Sequence, residues 1–222
     1  CSDMGAIYGY HNWGYRGIDI RYNWIHDIGG PFDPASCYGM YHDGYVAASE
    51  MRYNYISDVT GSGIFQNGGR DQVSDGNIIW RCDIGYKGND ALVAAYDNTP
   101  GAFNNIQETI NIDGISYKDE PWATAYPEVF ALPTDPAAYD EGSDLRKPQG
   151  CVLSRNLFWD NGEWRKGDAT EVYGFYAEVL DNVENSDPLF VNEAGGDLNM
   201  QAGSPYFAIP GNPQTNWFDD IG

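Results

Sequence analysis

The feature that most constrains the fold of this chain is a repeated strand-like motif built around an asparagine. In each copy the asparagine is followed by two or three large residues and then a polar exit: IRYNWIHDI (20–28), MRYNYISDV (51–59), SDGNIIWRC (74–82) and LSRNLFWDN (153–161). A second motif lies between these copies, with a glycine at its start: GAIY (5–8), GMYH (39–42), GIFQ (63–66) and GYKG (85–88). Its glycines are separated by 34, 24 and 22 residues.

Two interleaved motifs in every 22 to 34 residues indicate a coil rather than a sandwich. Antiparallel hairpins would place a strand about every 8 to 12 residues without this paired recurrence. In a coil, each turn of the chain supplies short strands that stack on those of the next turn, which produces parallel sheets. We therefore predict an all-β fold, a parallel β-helix.

The repeat is interrupted once, which sets the predicted organisation of a single domain over residues 1–222. We place coils at about 1–116 and 150–192, a long insertion at about 117–149 and a C-terminal cap at about 193–222. Acidic residues before Pro121 predict a helix start, and the segment WATAYPEVFAL predicts a short helix interrupted at Pro127. An insertion of this length commonly folds over one face of a solenoid.

The repeated asparagines predict a structural stack. Asn23, Asn54 and Asn77 occupy equivalent positions, so we expect them to stack at a bend. Their amides would bond to neighbouring backbone groups or to one another. Asp27 and Asp58 also recur at one position of the repeat and are interpreted as turn residues.

The glycine motif predicts two faces of one strand. With apolar residues pointing inward, the internal column is expected to contain Ile7, Tyr41 and Phe65. Side chains alternate along a strand, so the next position should lie on the outer face, roughly 5 Å from coil to coil. The residues expected on that face or in the turn beside it are Tyr8, His11, His42, Asp43, Gln66, Arg70 and Asp71.

Charge and composition exclude several classes of partner. The net charge is −21, from 33 acidic and 12 basic residues, which argues against nucleic acid and anionic membrane surfaces. The sequence contains no apolar run long enough to span a membrane. Aromatic residues make up 15% of the chain, a composition typical of proteins that stack on sugar rings. The four cysteines fit either one or two disulfides in an exported protein or buried free thiols.

The whole pattern resembles a known group of proteins. The segments DMGAIY, IRYNWIHDIGG, YGMYHDG, GIFQNGGRD, EPWATAYPEVFAL, GCVLSRNLFW, DPLFVN and GDLNMQAGSPYF together look like right-handed parallel β-helix proteins that act on carbohydrates. The nearest resemblance is to the C-terminal part of large bacterial glycoside hydrolases of the fucosidase and xylanase type. It implies a right-handed helix, a polysaccharide or oligosaccharide partner and a secreted, cell-surface or periplasmic location. Where relatives tend to carry adjacent acids, this chain has YHDG, with Asp43 alone.

Glycoside hydrolysis needs a carboxylic acid and a carboxylate. We predict Asp43 and Asp3 as this pair, with His42 tuning or orienting the neighbouring acid. The alternative is structural: Asp3 caps the first turn and Asp43 bonds to its own backbone before Gly44. Both acids flank equivalent glycine motifs, so they should be neighbours in space. The predicted substrate-binding residues are Tyr8, His11, Trp13, Gln66, Arg70 and Asp71.

Two other functions stay open at this stage. A polysaccharide lyase would use Lys87 or Arg70 as base and would hold calcium in an acidic loop such as YDNTPG; otherwise no cofactor or metal is expected. The other is a non-catalytic role as an adhesin, glycan-binding module or filament subunit. Residues 1 to 20 show no capping helix, so we also expect them to stack against further β-helix coils or another chain.

Overall fold

The structure is a computed structural model that describes residues 3–10, 14–44, 46–89, 115–139, 143–167 and 176–217. Its strands are β1 (Met4–Tyr10), β2 (Ile18–Arg21), β3 (Trp24–Ile25), β4 (Cys37–Asp43), β5 (Ser49–Arg52), β6 (Tyr55–Ser57), β7 (Ser62–Asn67), β8 (Val73–Asp75), β9 (Ile78–Trp80), β10 (Ile84–Asn89), β11 (Cys151–Ser154), β12 (Leu157–Trp159), β13 (Glu163–Gly167), β14 (Tyr176–Leu180), β15 (Val183–Glu184), β16 (Phe190–Asn192) and β17 (Asp197–Met200). Its α-helices are α1 (Trp122–Ala125), α2 (Pro127–Phe130) and α3 (Pro205–Ala208). Its 3-10 helices are Pro34–Ser36, Pro136–Tyr139, Asp144–Arg146 and Glu193–Gly195.

The strands from β1 to β15 form three parallel sheets of five strands each. Sheet 1 has the order β1-β4-β7-β10-β13, sheet 2 the order β2-β5-β8-β11-β14, and sheet 3 the order β3-β6-β9-β12-β15. Each coil gives one strand to each sheet, so β1 to β3 form coil 1 and β13 to β15 form coil 5. The prediction of an all-β fold built as a parallel solenoid is confirmed.

The main core fills the inside of this solenoid. Side chains from each sheet point inward, and register places the same position of successive coils in one column. The three columns contain Ile7, Met40, Ile64 and Tyr86 from sheet 1; Ile20, Met51, Ser74, Leu153 and Val179 from sheet 2; and Ile25, Ile56, Ile79 and Phe158 from sheet 3. Because adjacent coils bury each other's apolar side chains, the stacking of coils stabilises the fold.

An asparagine ladder marks the bend between sheets 2 and 3. The Nδ2 of Asn54 donates to the Oδ1 of Asn77 at 3.0 Å, and the Nδ2 of Asn77 donates to the Oδ1 of Asn156 at 2.9 Å. Asn23 begins the ladder among the described residues, and Asn182 ends it. The prediction that the repeated asparagines stack at a bend is confirmed. The residue before each asparagine has a positive φ: Tyr22, Tyr53, Gly76, Arg155 and Asp181.

The second recurring turn follows sheet 3. Asp27 and Asp58 both adopt a φ of 55°, a left-handed conformation that aspartate tolerates better than most residues. The equivalent residues of coils 3 and 4, Arg81 and Asp160, also have positive φ, and in coil 5 Asn185, one position earlier, does so. The interpretation of Asp27 and Asp58 as turn residues is confirmed.

The predicted faces of sheet 1 are wrong in coils 2 and 3. Tyr41 and Phe65 do not belong to the internal column; with Tyr38 they form a separate cluster. The next position points inward, since His42 and Gln66 are buried and bond to interior side chains. Ile7 does lie in the internal column, as expected.

Two features of the glycine motif explain this error. Register pairs Gly5 with Tyr38 rather than with Gly39, so the first motif had been aligned one residue out. Tyr38 and Tyr41 share one cluster although they are three residues apart, so strict alternation fails across Gly39 and Met40. A Cβ on Gly39 would lie only 2.5 Å from the carbonyl oxygen of Gly63, which is why glycine recurs at this close approach.

The insertion between β10 and β11 packs against the turn that joins sheets 1 and 2. Its helices α1 and α2 are separated at Tyr126, as the helix interrupted at Pro127 predicts. The buried residues Tyr117, Val129 and Leu132 of the insertion cluster with Ala47 of coil 2. The insertion therefore covers one corner of the solenoid.

The segment after β15 lies on the outer face of sheet 3. Its residues Leu198, Tyr206 and Trp217 cluster with Tyr55 and with three other outward-facing residues of that sheet: Ile78, Trp80 and Leu157. The hydroxyl of Tyr206 donates a 2.7 Å hydrogen bond to the carbonyl oxygen of Gly76 in coil 3. The C-terminal segment predicted as a cap therefore covers the side of the solenoid over several coils.

Candidate functional site

The predicted acid Asp43 lies at the end of β4, where coils 1, 2 and 3 meet on the outer face of sheet 1. The Tyr8 hydroxyl of coil 1 donates to its Oδ2 at 2.8 Å, and the Nδ2 of Asn67 in coil 3 donates to its Oδ1 at 2.8 Å. Register places Tyr8 beside Tyr41, two residues before Asp43 on the same face. It also pairs His42 with Gln66, which brings Asn67 level with Asp43. Both carboxylate oxygens of Asp43 therefore act as acceptors.

The second predicted acid, Asp3, reaches the same place. Burial raises the pKa of Tyr41 far above its ordinary value, and the nearby carboxylates of Asp43 and Asp3 raise it further. Tyr41 therefore stays protonated, with both acids in its surroundings. That Asp3 and Asp43 are direct neighbours in space stays a prediction.

Aromatic rings form the floor beside these acids. The rings of Tyr8 and Tyr41 are 5.1 Å apart and meet edge to face, while Tyr41 and Phe65 stack at 4.8 Å. The Nζ of Lys87 lies 4.3 Å from the centre of the Phe65 ring, within cation–π range. Tyr41 and Phe65 are buried, whereas Tyr8 is 47% exposed. Tyr8 is therefore the ring of this cluster that a ligand meets first.

His42 does not lie beside Asp43, so its predicted role in tuning that acid is not supported by its position. It is 3% exposed and points inside the solenoid, where its Nδ1 lies 3.0 Å from the Oε1 of Gln72 and 3.0 Å from the Oγ of Ser49. Burial lowers the pKa of His42, and the hydrogen bond with Gln72 opposes this shift. The neutral imidazole thus links sheets 1 and 2 from within.

Gln66, predicted to bind substrate, belongs to the same interior. Its Oε1 accepts a 2.6 Å hydrogen bond from the Tyr86 hydroxyl, and its Nε2 lies 3.1 Å from the Sγ of Cys151. Burial raises the pKa of the Cys151 thiol to about 11. These contacts give Gln66 a structural role. They follow from the same reversal of faces that places His42 inside.

Arg70 and Asp71 lie in a turn that the insertion covers. Arg70 is buried, and its Nε donates to the Oδ2 of Asp71 at 2.7 Å. Arg16 of coil 1 forms ion pairs with Asp71 at 3.5 Å and with Glu128 of α2 at 3.4 Å. Burial lowers the pKa of Arg16, and the charges of Asp71 and Glu128 oppose that shift. The turn therefore anchors the insertion.

Two other predicted binding residues, His11 and Trp13, lie outside the described residues. Sequence reasoning missed two contributors that the structure brings in, Asn67 and Tyr41. Asn67 was detectable, because it occupies the position after Gln66 that register pairs with Asp43. Tyr41 was missed because it was assigned to the core.

Metal ligands and reactive thiols are not gathered at this site. Within the described parts of the chain, no group of three or more His, Cys, Asp or Glu side chains is arranged to hold a metal ion. The YDNTPG loop, considered for calcium, lies outside them. Of the cysteines that the structure describes, Cys37, Cys82 and Cys151 are free thiols and buried. No helix in the described ranges is long and apolar enough to cross a membrane.

Comparison with known proteins gave no match: no protein-family model, no curated protein and no solved structure is similar to this chain. The resemblance to carbohydrate-active β-helix proteins therefore stays a prediction. A function for this chain is therefore inferred from the geometry around Asp43.

Proposed function

We propose that this chain binds a polysaccharide on the outer face of sheet 1 and hydrolyses a glycosidic bond there. One observation carries the proposal: two carboxylates from adjacent coils, Asp3 and Asp43, lie near Tyr41, and Asp43 is hydrogen-bonded to the exposed ring of Tyr8. Glycosidases cleave with two carboxyl groups that flank the bond, and sugars stack on aromatic rings beside them.

The surroundings of each acid suggest a division of roles. Asp43 accepts hydrogen bonds at both oxygens, from Tyr8 and Asn67, and an ionised carboxylate is acceptor-only. Asp43 would therefore act as the nucleophile or as the base that activates water. Asp3 is exposed at the start of β1 and would protonate the leaving oxygen.

The fold and location complete this proposal. The crossover that returns a chain to a parallel neighbour in the same sheet is right-handed in nearly all proteins, so we infer a right-handed β-helix. A polymeric sugar substrate also implies that the protein works at the cell surface, in the periplasm or in the medium.

A panel of polysaccharides, with products identified by mass spectrometry, tests the proposal. We expect saturated products from the unmodified chain and a loss of about 10²–10⁴ in rate for Asp43→Asn, the range for removal of an acid or base. Asp19→Asn is the matched control, because Asp19 is exposed on the outer face of sheet 2 and bonds to Arg21. It should leave the rate unchanged.

Three other outcomes would contradict the proposal. Unsaturated products would identify a lyase. Binding of a polysaccharide with no product formed would identify a glycan-binding module. Undiminished turnover in Asp43→Asn, with a melting temperature within a few degrees of the unmodified chain, would remove Asp43 from the mechanism.

A further inference from the structure

Among the described residues, no strand pairs with the outer edge of coil 1 in any of the three sheets. β1, β2 and β3 are each the end strand of their sheet. An end strand uses only one row of its backbone N–H and C=O groups within its own sheet, and its other row is a template for another strand. In a solenoid the three templates lie at the same end, so one partner coil can use all of them.

The core is also open at this end. In sheet 1, Ile7 is partly exposed, whereas its neighbour Met40 in coil 2 is 0% exposed. In sheet 2, Ile20 is partly exposed and Met51 is 1% exposed. Neighbouring coils bury these columns elsewhere. At coil 1 the columns end, and Ile7 and Ile20 are only partly covered.

The asparagine ladder has a direction that identifies what fits there. The Oδ1 of Asn54 accepts from the backbone N–H and the Nδ2 of Asn23, at 3.1 and 2.9 Å. Asn77 and Asn156 receive the same pair of bonds from the coil before them. Asn23 has no preceding asparagine among the residues that the structure describes. Its Oδ1 occupies the acceptor position that a preceding coil fills elsewhere.

The two ends of the solenoid differ in charge along sheet 1. β1 reads MGAIYGY and carries no charged residue, whereas β13 reads EWRKG. Charged side chains, lysine above all, blunt an end strand against pairing. Coil 5 therefore ends in a strand that discourages stacking, while coil 1 begins with one that permits it.

We propose that the edge formed by β1, β2 and β3 docks one further parallel β-coil that carries an asparagine in line with Asn23. The docked coil pairs with all three strands, covers Ile7 and Ile20, and donates its asparagine N–H and Nδ2 to the Oδ1 of Asn23. It is a coil other than coil 5 of a second copy, because β13 is charged and both copies carry a net charge of −21. The interface continues the one that already joins coils 1 to 5.

A grafted coil tests this docking surface. Register aligns Met4 with Cys37, and Cys37 precedes Tyr38, which pairs with Ser62. A copy of residues 37–59 placed directly before Asp3 therefore continues the solenoid by one coil. Hydrogen exchange should show slow amides in the grafted strands and about ten-fold or greater slowing in β1, β2 and β3, since these strands become internal.

The matched control is the same graft with Asn54→Ala in the copied coil only, which removes the side-chain Nδ2 donor to Asn23 but keeps the backbone N–H donor and the strands. We expect it to give a smaller gain in protection. A second graft, residues 61–81 before Asp3, guards against a poor choice of coil. If neither graft slows exchange in β1, β2 and β3, the proposal is wrong.

Light scattering on the ungrafted chain tests whether the edge docks coil 5 of a second copy instead. We expect no growth of particle size with concentration. Head-to-tail polymers that grow with concentration would show that the edge accepts coil 5 of a second copy, and would overturn the choice of a distinct coil.

Discussion

The hydroxyl of Tyr8 donates a 2.8 Å hydrogen bond to the Oδ2 of Asp43, and this bond joins coil 1 to coil 2 across the outer face of sheet 1. The two residues are 35 positions apart in the chain, and only the stacking of coils brings them together. The bond holds one oxygen of the proposed catalytic carboxylate in a fixed orientation beside an exposed ring.

Tyr8→Phe tests the importance of that orientation. The ring stays, so substrate stacking should persist, while the hydrogen bond to Asp43 is lost. A hydrogen bond to a charged group contributes about 1.5–3 kcal/mol, so we expect kcat to fall roughly ten- to hundred-fold with little change in KM. Kinetics on the substrate found in the panel measure both constants. A rise in KM at constant kcat would instead mean that Tyr8 only binds substrate.

The asparagine ladder predicts an unequal pair of variants. Asn77→Ala removes a buried rung that bonds to Asn54, Asn156 and the backbone of Met51, so several buried groups lose a partner. We expect a loss of about 3 kcal/mol or more in the free energy of unfolding, given about 1–3 kcal/mol per unsatisfied group. Asn23→Ala at the end of the ladder should cost less. Urea denaturation measures both, and equal losses would contradict the ladder as the cause.

The corrected faces of sheet 1 give a second stability test. Ile64→Ala leaves a cavity in the internal column and should cost about 2–5 kcal/mol. Ile7→Ala lies in the same column but starts partly exposed, so its cost should be smaller. The free energy of unfolding of each variant is the readout. A neutral Ile64→Ala would mean that this column does not form the core.

His42 predicts a stability that depends on pH. Burial lowers its pKa below the ordinary value of 6.5, so the unfolded chain binds the proton more readily than the folded chain. The stabilising contribution is fully present above pH 6.5 and is lost as the pH falls toward the lowered pKa. As the pH falls from roughly 7.5 to 5.5, we expect the melting temperature of the unmodified chain to fall more than that of His42→Gln. An equal fall in melting temperature in the two proteins would contradict a buried neutral His42.

The structural features that recur once in every coil could be predicted from the sequence. The asparagines recur with the same neighbours, and a buried amide ladder needs that identity at every rung, so Asn23, Asn54 and Asn77 could be assigned. The faces of sheet 1 could not, because the motifs were aligned by placing Gly5 level with Gly39, whereas register pairs Gly5 with Tyr38. His42 and Gln66 were placed outside for that reason, although their partners Gln72 and Tyr86 bury them.

The cover over Arg70 could not be predicted either. Its burial depends on where the insertion packs, and no local pattern in QNGGRD specifies that contact. The ion pair from Arg16 to Glu128 joins residues more than a hundred positions apart. Asp43 was found because a lone acid beside the glycine motif is visible in sequence, whereas its donor Asn67 was detectable at the same offset from Gly63 but was not singled out.

The position of Trp217 on coil 2 bears on how the chain is made. Its ring stacks on Tyr55 at 5.2 Å and also contacts Tyr53 and Tyr206. A solenoid can in principle fold coil by coil while it leaves the ribosome, since each coil needs only its neighbours. Here the outer face of an early coil stays bare until residues near Trp217 have been synthesised. The C-terminal segment thus acts as a latch that ties early and late coils into one cooperative unit.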